Sequence, residues 1–504
     1  MIHETNDVAT KSREAQAMAE SLELTEALMG GTDAMRAAGP KYLPKWPAEE
    51  GSAHTQRLRL ATLRPVYKRT VAVLVGKPMS KPITLDENFP ESQKPLMDNI
   101  DRAGRNLDTF VADVLEVAIA HGQCHIFIDS PKAGPVKSIA QEKADGVRPY
   151  FVKVEPKQLL GWRYSDAGIL TQVRYMETVD IPDGEYKTKA VKQIRVLEPT
   201  KWTLWRESEN PEDKGWAVYE EGVFTMGEIP WVTVYGRRTG NMTSEPPMLE
   251  LAHLNVKHWQ SQSDQDNITH VVRVPILTVI GAEDQFTLVV GAQSAVKLPP
   301  NASMMFVEHS GAAVGVGKVS LDDLVDEMRQ AGAEMLVVRD AQATATEVAT
   351  DNVAAMSDLQ RIVRGAQDAV NIALEFLSKW LRETKVGEVK IFNDFEASIQ
   401  AEASAALVLQ GTTAGLLSKE TAFAEWQRRG IISGDLDYEE EQDRIEQEGP
   451  PQGNVDPVTG LPYDKPLAPK DPDAPKGKID PHTGLPYDKP ADPVAMARAK
   501  GVKA

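Results

Sequence analysis

The stretch His121-Gly-Gln-Cys124-His125 holds two imidazoles and the only cysteine of the chain. These are metal-ligand and nucleophile types, so it is the first place to look for chemistry. A structural zinc site needs four well-spaced nitrogen or sulfur ligands, and no second cluster completes the set. A Cys124/His125 nucleophile pair fails on direction, because adjacent residues of a strand point to opposite faces. Gly311, Gly315 and Gly317 have the wrong spacing for a phosphate loop. No Gly-Lys-Ser/Thr follows them, and the next helix opens on Asp322 and Asp323. Arg57, Arg59, Arg64, Lys68, Arg69, Lys77 and Lys81 lie in one segment without an acid. Such a cluster could touch DNA or an acidic neighbour, but more often it is a solvated helix face or a subunit salt-bridge partner. No phosphate loop, ligand set or triad converges. A nucleotide- or metal-dependent hydrolase is therefore the weaker class, and no catalytic residue, metal or cofactor is expected.

Composition bounds the rest. A chain of 504 residues exceeds the size at which single cores stop growing, about 250–300 residues, so several domains are expected. No run approaches the roughly 18 apolar residues of a membrane span, and the first residues lack the basic-then-apolar order of a signal peptide. The expectation is a protein made in the cytoplasm without a membrane partner. One cysteine excludes an internal disulfide framework. A net charge of −18 opposes tight non-specific DNA binding, which uses Lys and Arg to neutralise phosphates. It does not oppose a DNA conduit, because a basic lining would hold the backbone in place.

Residues 1–45 suggest a short helix from Ala15 to Met29, closed by Gly30-Gly31, within a solvated arm. Leu63, Tyr67, Val71 and Leu74 mark a helix that Pro65 kinks or starts. Leu96, Ile100, Leu107, Val111, Val114 and Ala118 read as one helix ending at Gly122, a left-handed cap position, before the strand 125–129. Between 148 and 238 the pattern is β: 150–154, 169–177, 193–197, 202–205, 216–220 and 231–235. Five of the nine tryptophans fall between 202 and 259, consistent with a sheet core.

The stretch 246–381 organises the chain. Pro246 and Pro247 suit a first helical turn. Met248, Leu249, Ala252, Val256 and Trp259 then form an apolar face. After Trp259 the helix is polar all round, which suits either a monomer surface or a ring of identical helices bonding sideways. Residues 271–307 carry three or four short strands. Ser320 reads as the N-cap of a returning helix with Leu321, Leu324, Met328, Ala331 and Met335 on one side. Residues 339–346 are small and polar. Thr344 with Glu347 reads as a capping box opening a helix that runs to about Arg382, roughly 50 Å at 1.5 Å per residue.

This order of helix, β excursion, returning helix, loop and long helix resembles the portal proteins of tailed bacteriophages. The wording is closest to a subgroup long known only as a domain of unknown function. The residues that carry it are Pro-Pro-Met-Leu-Glu-Leu-Ala-His-Leu-Asn (246–255), His258, Ser261, Asp264 and Pro275 through Gly281. Further likeness lies at Tyr42-Leu43-Pro44, Arg57-Leu58, Gly76-Lys77-Pro78, Asp129-Ser130-Pro131, Trp162-Arg163, Ile229-Pro230, Leu416 to Glu420 and Arg429 to Ile432.

The resemblance implies an α+β portal fold assembled as a ring, usually of twelve subunits, at one capsid vertex. It divides the chain into an N-terminal arm (1–45), wing (46–243), first stem helix (244–268), clip (269–318) and second stem helix (319–338). A tunnel loop (339–346), long wing helix (347–385) and helical crown (386–448) follow. It implies that Arg339, Asp340, Gln342, Thr344 and Thr346 face DNA, that Glu283, Asp284 and Gln285 dock partners, and that Gln260, Gln262, Asp264 and Asp266 meet the next subunit. Implied partners are further copies of the chain, the major capsid protein, the terminase large subunit, head-completion or adaptor proteins, and double-stranded DNA in passage. Another virion ring or adaptor protein is the alternative. From Gly449 the chain is Pro-rich and unable to bury a core. There Asp456 to Pro466 recurs as Asp480 to Pro490, differing only at Val458 and His482. Two copies are too few for a solenoid.

Overall fold

Ser12 accepts a hydrogen bond from the Ala15 amide, which opens α1 (Arg13–Ala17). The computed structural model describes residues 7–131, 147–208, 215–224, 226–273, 276–281, 301, 303–307, 312–336, 356–394, 401–428, 431–433 and 436–448. α2 (Ala19–Ala38) is kinked at Gly31, where φ is +77°, and resumes beyond the glycine pair expected to end it. Leu24, Leu28, Met35, Tyr42 and Leu43 lie in the main core. Residues 24–43 are therefore part of the folded body, which corrects the expectation of a solvated arm.

α3 (Gly51–Leu60), α4 (Val66–Gly76), β1 (Thr84–Leu85), α5 (Lys94–Met97) and α6 (Leu107–His121) come next. Pro65 stands at the N-cap of α4, so it starts that helix rather than kinking it. The single helix expected from Leu96 to Ala118 is broken. Asp101 accepts from the Ala103 and Arg105 amides, and Asn106 then caps α6 by accepting from Thr109 N–H. Short polar side chains that satisfy free amides compete with the helix and win here. Gly122 ends α6 at φ +94° as expected. A Cβ there would lie 2.7 Å from the Glu245 backbone, so only glycine fits.

The strands are β2 (Gln123–Asp129), β3 (Tyr150–Val154), β4 (Leu159–Tyr164), β5 (Leu170–Asp183), β6 (Lys187–Leu197), β7 (Lys201–Glu207), β8 (Trp216–Val223), β9 (Trp231–Tyr235), β10 (Arg237–Gly240) and β11 (Thr243–Glu245). β3 and β9 fall where expected and β7 and β8 close to it, while β5 and β6 extend about six residues further and β4, β10 and β11 were not expected. β3-β2-β9 form one antiparallel sheet, and β4 to β8 form an antiparallel meander of five. β2 is buried on both faces. Cys124, Ile126 and Ile128 point into the helical core, while Phe127 points into a second core with Val173, Tyr175, Leu197 and Trp231.

α7 (Leu249–Val272), β12 (Ile276–Ile280), β13 (Ser303–Val307), α8 (Ala312–Ala333), α9 (Asp358–Leu381) and β14 (Val389–Lys390) complete the first unit, Met1–Phe395. α8 starts at Ala312, so Ser320 is interior and not a cap. α9 opens on its own capping box, in which extended Ser357 accepts from the Gln360 amide and Gln360 bonds back. It has 24 residues, about 36 Å, and starts at Asp358 rather than beyond Thr344; Thr344 and Glu347 lie outside the described residues. Its apolar face, with Leu359, Val363, Val370 and Leu377, is buried as expected. The second unit, Glu396–Ala504, contains α10 (Ala401–Thr413), α11 (Lys419–Arg428) and α12 (Tyr438–Glu448), near the expected helices. Ser418 accepts from the Thr421 amide at the start of α11, and Phe423 packs edge-on to Tyr438. The tail from 449 lies outside the described residues.

Asn255 joins α7 to α4. Its side chain accepts from Tyr67 N–H at 2.9 Å and donates to Arg64 C=O at 2.9 Å. α4 has no side-chain cap of its own, so Asn255 caps it from another helix. Tyr67 Oη in turn donates to Ala120 C=O at 2.6 Å, at the end of α6. Asn255→Leu leaves the buried Tyr67 N–H unpaired, while Arg64 C=O keeps a bond from Val66 N–H, and should cost roughly 1–3 kcal/mol. Urea unfolding should show a lower midpoint for this variant, whereas exposed Lys257→Ala should stay within about 0.5 kcal/mol of the parent.

Candidate functional site

Two halves of α7 behave differently. In its first fifteen residues Leu251, Ala252, Asn255, His258, Trp259 and Ser263 are buried. Beyond Ser263 no residue of α7 is buried. The division falls at a polar node that sequence reasoning missed. Arg57 makes a bidentate pair with Glu49, Nε to Oε1 at 2.8 Å and Nη2 to Oε2 at 2.8 Å. It also donates to Pro44 C=O at 2.9 Å and approaches Asp264 at 3.5 Å. The Arg57 side chain is 6% exposed. Hydrogen bonds from Arg57 hold the Glu49 carboxyl down at about 2, while burial raises that of Asp264. Trp46 Nε1–H donates to Asp264 at 3.4 Å, and Gln260 donates to Tyr42 C=O at 3.0 Å. The base of α7 is thus riveted to residues 42–57. Arg57 leaves the open basic cluster and becomes a structural cation.

Past the node, α7 and α8 run together. Gln265 donates to Val314 C=O at 2.8 Å. A Cβ on Gly317 would sit 2.0 Å from Gln265 Oε1, so glycine permits this close approach. The glycines that fail as a phosphate loop therefore do packing work here at Gly317. None of the side chains from 314 to 320 is buried. Val271 is 59% exposed and Val316 73%. β12 and β13 pair from Ile276↔Val307 to Ile280↔Ser303, and Met305 at 50% and Phe306 at 65% stand in solvent. A two-stranded sheet alone is marginal in water. Among the described residues this end presents apolar surface and strand edges without a partner, for another molecule to cover.

The expected stem contacts divide. Gln260 and Asp264 are used inside the chain, while Gln262 donates to Asp266 at 2.7 Å along the outer surface. Glu283, Asp284 and Gln285, with Arg339, Asp340, Gln342, Thr344 and Thr346, lie outside the described residues. The histidine and cysteine cluster is shared out among packing contacts. His121 Nδ1 lies 2.8 Å from Thr25 Oγ1, and His125 Nδ1 lies 3.0 Å from Thr233 Oγ1. Burial pulls the two imidazoles down to about 4 and about 3 and pushes the Cys124 thiol up to about 12. All three are held neutral. Among the described residues no group of three potential ligands gathers. A cleft of about 840 Å³ lies beside Pro246, His253, Met335 and Ile362. Its Arg237 and Arg361 are paired with Glu245 and Asp358, leaving those two cations committed.

Residues 247–381 match a family described as a domain of unknown function (DUF4055). The match runs from the proline before α7 to the last residue of α9. No curated protein matches the sequence. Among solved structures, the chain is similar to one in the virion of a native gene transfer agent particle. Identity is 12%, coverage is 79% of this chain and 98% of that one, and the TM-score is 0.42. A chain in the neck of the empty particle, computed with C6 symmetry, gives 13%, 79%, 94% and 0.39. One in the neck of the native particle, computed with C12 symmetry, gives 12%, 71%, 88% and 0.37. Scores of this size do not establish a common fold.

The node makes a pH prediction. Glu49 ionises at about 2 in the folded chain against an ordinary 4.5. A lowered folded value means stabilisation that is complete above the unfolded value and is lost as pH falls through the folded one. Stability should therefore decline between about 4.5 and about 2. In Glu49→Gln the carboxylate contribution is absent throughout. The variant should be less stable at pH 7, and its loss on acidification should be shallower across that window, read from urea midpoints at stepped pH.

Proposed function

We propose that the chain is a ring-forming structural subunit of a phage-like virion, standing at the capsid vertex as a portal. The observation that carries this is the outer half of the α7–α8 pair with the β12–β13 sheet. It is anchored at its base by the Asn255 and Arg57 contacts, and further out it exposes apolar side chains without a covering layer among the described residues. Cyclic assembly of identical chains supplies such a layer by a heterologous contact repeated around the ring. The order of elements supports the portal role within that class, since α7, the β12–β13 excursion, α8 and α9 follow one another as stem, clip, stem and wing helix do. The acidic balance of the chain suits a conduit that lets DNA slide.

On this reading residues 339–346 face DNA, Glu283, Asp284 and Gln285 dock the terminase or head-completion proteins, and Gln262 and Asp266 meet the next subunit. The protein works without chemistry of its own and resides in the virion, after assembly in the host cytoplasm with the major capsid protein. A virion ring or adaptor other than the portal would show the same exposed end, and packaging assays separate the two.

Purified protein at micromolar concentration should give closed rings with a central hole by negative stain and a single high-mass species by native mass spectrometry. Only monomer or dimer would overturn the reading. Phe306→Asp with Met305→Asp should shift rings toward monomers while leaving the monomer's melting temperature within a few degrees, because both side chains are exposed. Lysine at Gln342 and Thr344 should leave rings intact. By adding positive charge to the channel it should slow packaging or ejection at low salt more than at high salt. Unaltered packaged length and ejection at low salt would remove those residues from the channel.

A further inference from the structure

The longest hairpin of the described chain runs past its own sheet. β4 pairs with β5 no further than Tyr175, and β7 pairs with β6 no further than Gln193. β5 and β6 continue as a two-stranded ribbon to Asp183↔Lys187. Among the described residues, each strand therefore has one edge without a partner strand over 178–183 and 187–192. The charges on this ribbon are sorted by strand. The β5 edge carries Asp180 and Asp183, and the β6 edge carries Lys187, Lys189 and Lys192. All five are exposed.

The sorting does not serve the ribbon itself. Only Asp183 faces a lysine across the strands. Asp180 faces Ala190, Lys189 faces Ile181, and Lys192 faces Thr178. Among the described residues no ion pair involves any of the five. Nor are the signs sorted by face, because Asp180 and Asp183 alternate, as do Lys189 and Lys192. What remains is one acidic edge and one basic edge on opposite sides of the same ribbon.

We infer that the ribbon is a head-to-tail contact, in which the acidic β5 edge of one subunit meets the basic β6 edge of a second copy of this chain. The inference rests on the ring reading and specifies one of its interfaces. Two edges of opposite sign on one body make a heterologous contact, which closes into a ring when the rotation allows. Opposite charges on neighbouring strands approach within about 4.5–5.5 Å at Cβ, and like charges at that distance repel. Pro182 removes one backbone donor from the acidic edge, so side-chain charge carries the recognition.

The test uses full-length protein and native mass spectrometry at low and high salt. Asp180→Lys with Asp183→Lys makes both edges basic, and Lys187→Glu with Lys189→Glu and Lys192→Glu makes both acidic. Each variant should keep the parent's far-ultraviolet circular dichroism, because the positions are exposed. Each should fall to smaller species at a concentration where the parent is fully assembled. Mixing the two should restore rings of even subunit number with alternating variants, and the five-fold swap in one chain should restore them alone. Rings in the parent and in both single-edge variants would overturn this contact and leave the ring reading standing. Loss of rings without rescue by mixing or by the swap would also overturn it. A parent that forms no ring overturns both.

Discussion

Asn255 is the contact on which the α7–α8 end of the molecule depends. A fully buried amide side chain is costly unless all its bonds are made. Here the side-chain oxygen and nitrogen are both bonded to backbone at the start of α4, Tyr67 N–H and Arg64 C=O. That fixes where α7 enters the core and in which rotation, with Trp259 one turn on packed fully inside. Tyr67, the residue Asn255 caps, reaches the last turn of α6, so three helices share one chain of hydrogen bonds. Once the first half of α7 is set, the direction of its second half is set too, and α8 follows through Gln265 and Gly317.

The outer half has little inside the chain to hold it. Its stability comes from the base, where Arg57, Glu49, Asp264, Trp46 and Gln260 form a node at the edge of the core. A buried arginine with one carboxylate would be weak evidence of net stabilisation. The bidentate geometry and the added carbonyl of Pro44 satisfy most of its donors, which makes the node a positional device. An element held at one end, with Val271, Val316, Met305 and Phe306 exposed at the other, is a poor design for a solitary protein. It suits a subunit whose neighbours complete it.

Charge follows the same division. The node pairs Arg57 with Glu49 beside Asp264, His121 and His125 are kept neutral by burial, and among the described residues no group of three potential metal ligands gathers. On the β5–β6 ribbon, signs instead sit apart on opposite edges.

Much of this was legible in the residues themselves. Period-two runs placed β3 and β9 to the residue, Gly122 marked the end of α6, and the succession from α7 to α9 followed from changes of period. These features are local, determined by side-chain spacing and by the φ that glycine alone adopts readily. Boundaries set by competition were not legible. Asp101 and Asn106 interrupt an apolar repeat that looked continuous, and Ser320, a good cap by type, lies inside α8, which starts at Ala312. Burial of polar residues was least legible of all. Asn255, His258 and Arg57 belong by type to a surface, and only the tertiary structure, by bringing Arg64, Tyr67, Glu49 and Pro44 within bonding distance of Asn255 and Arg57, makes those two core residues.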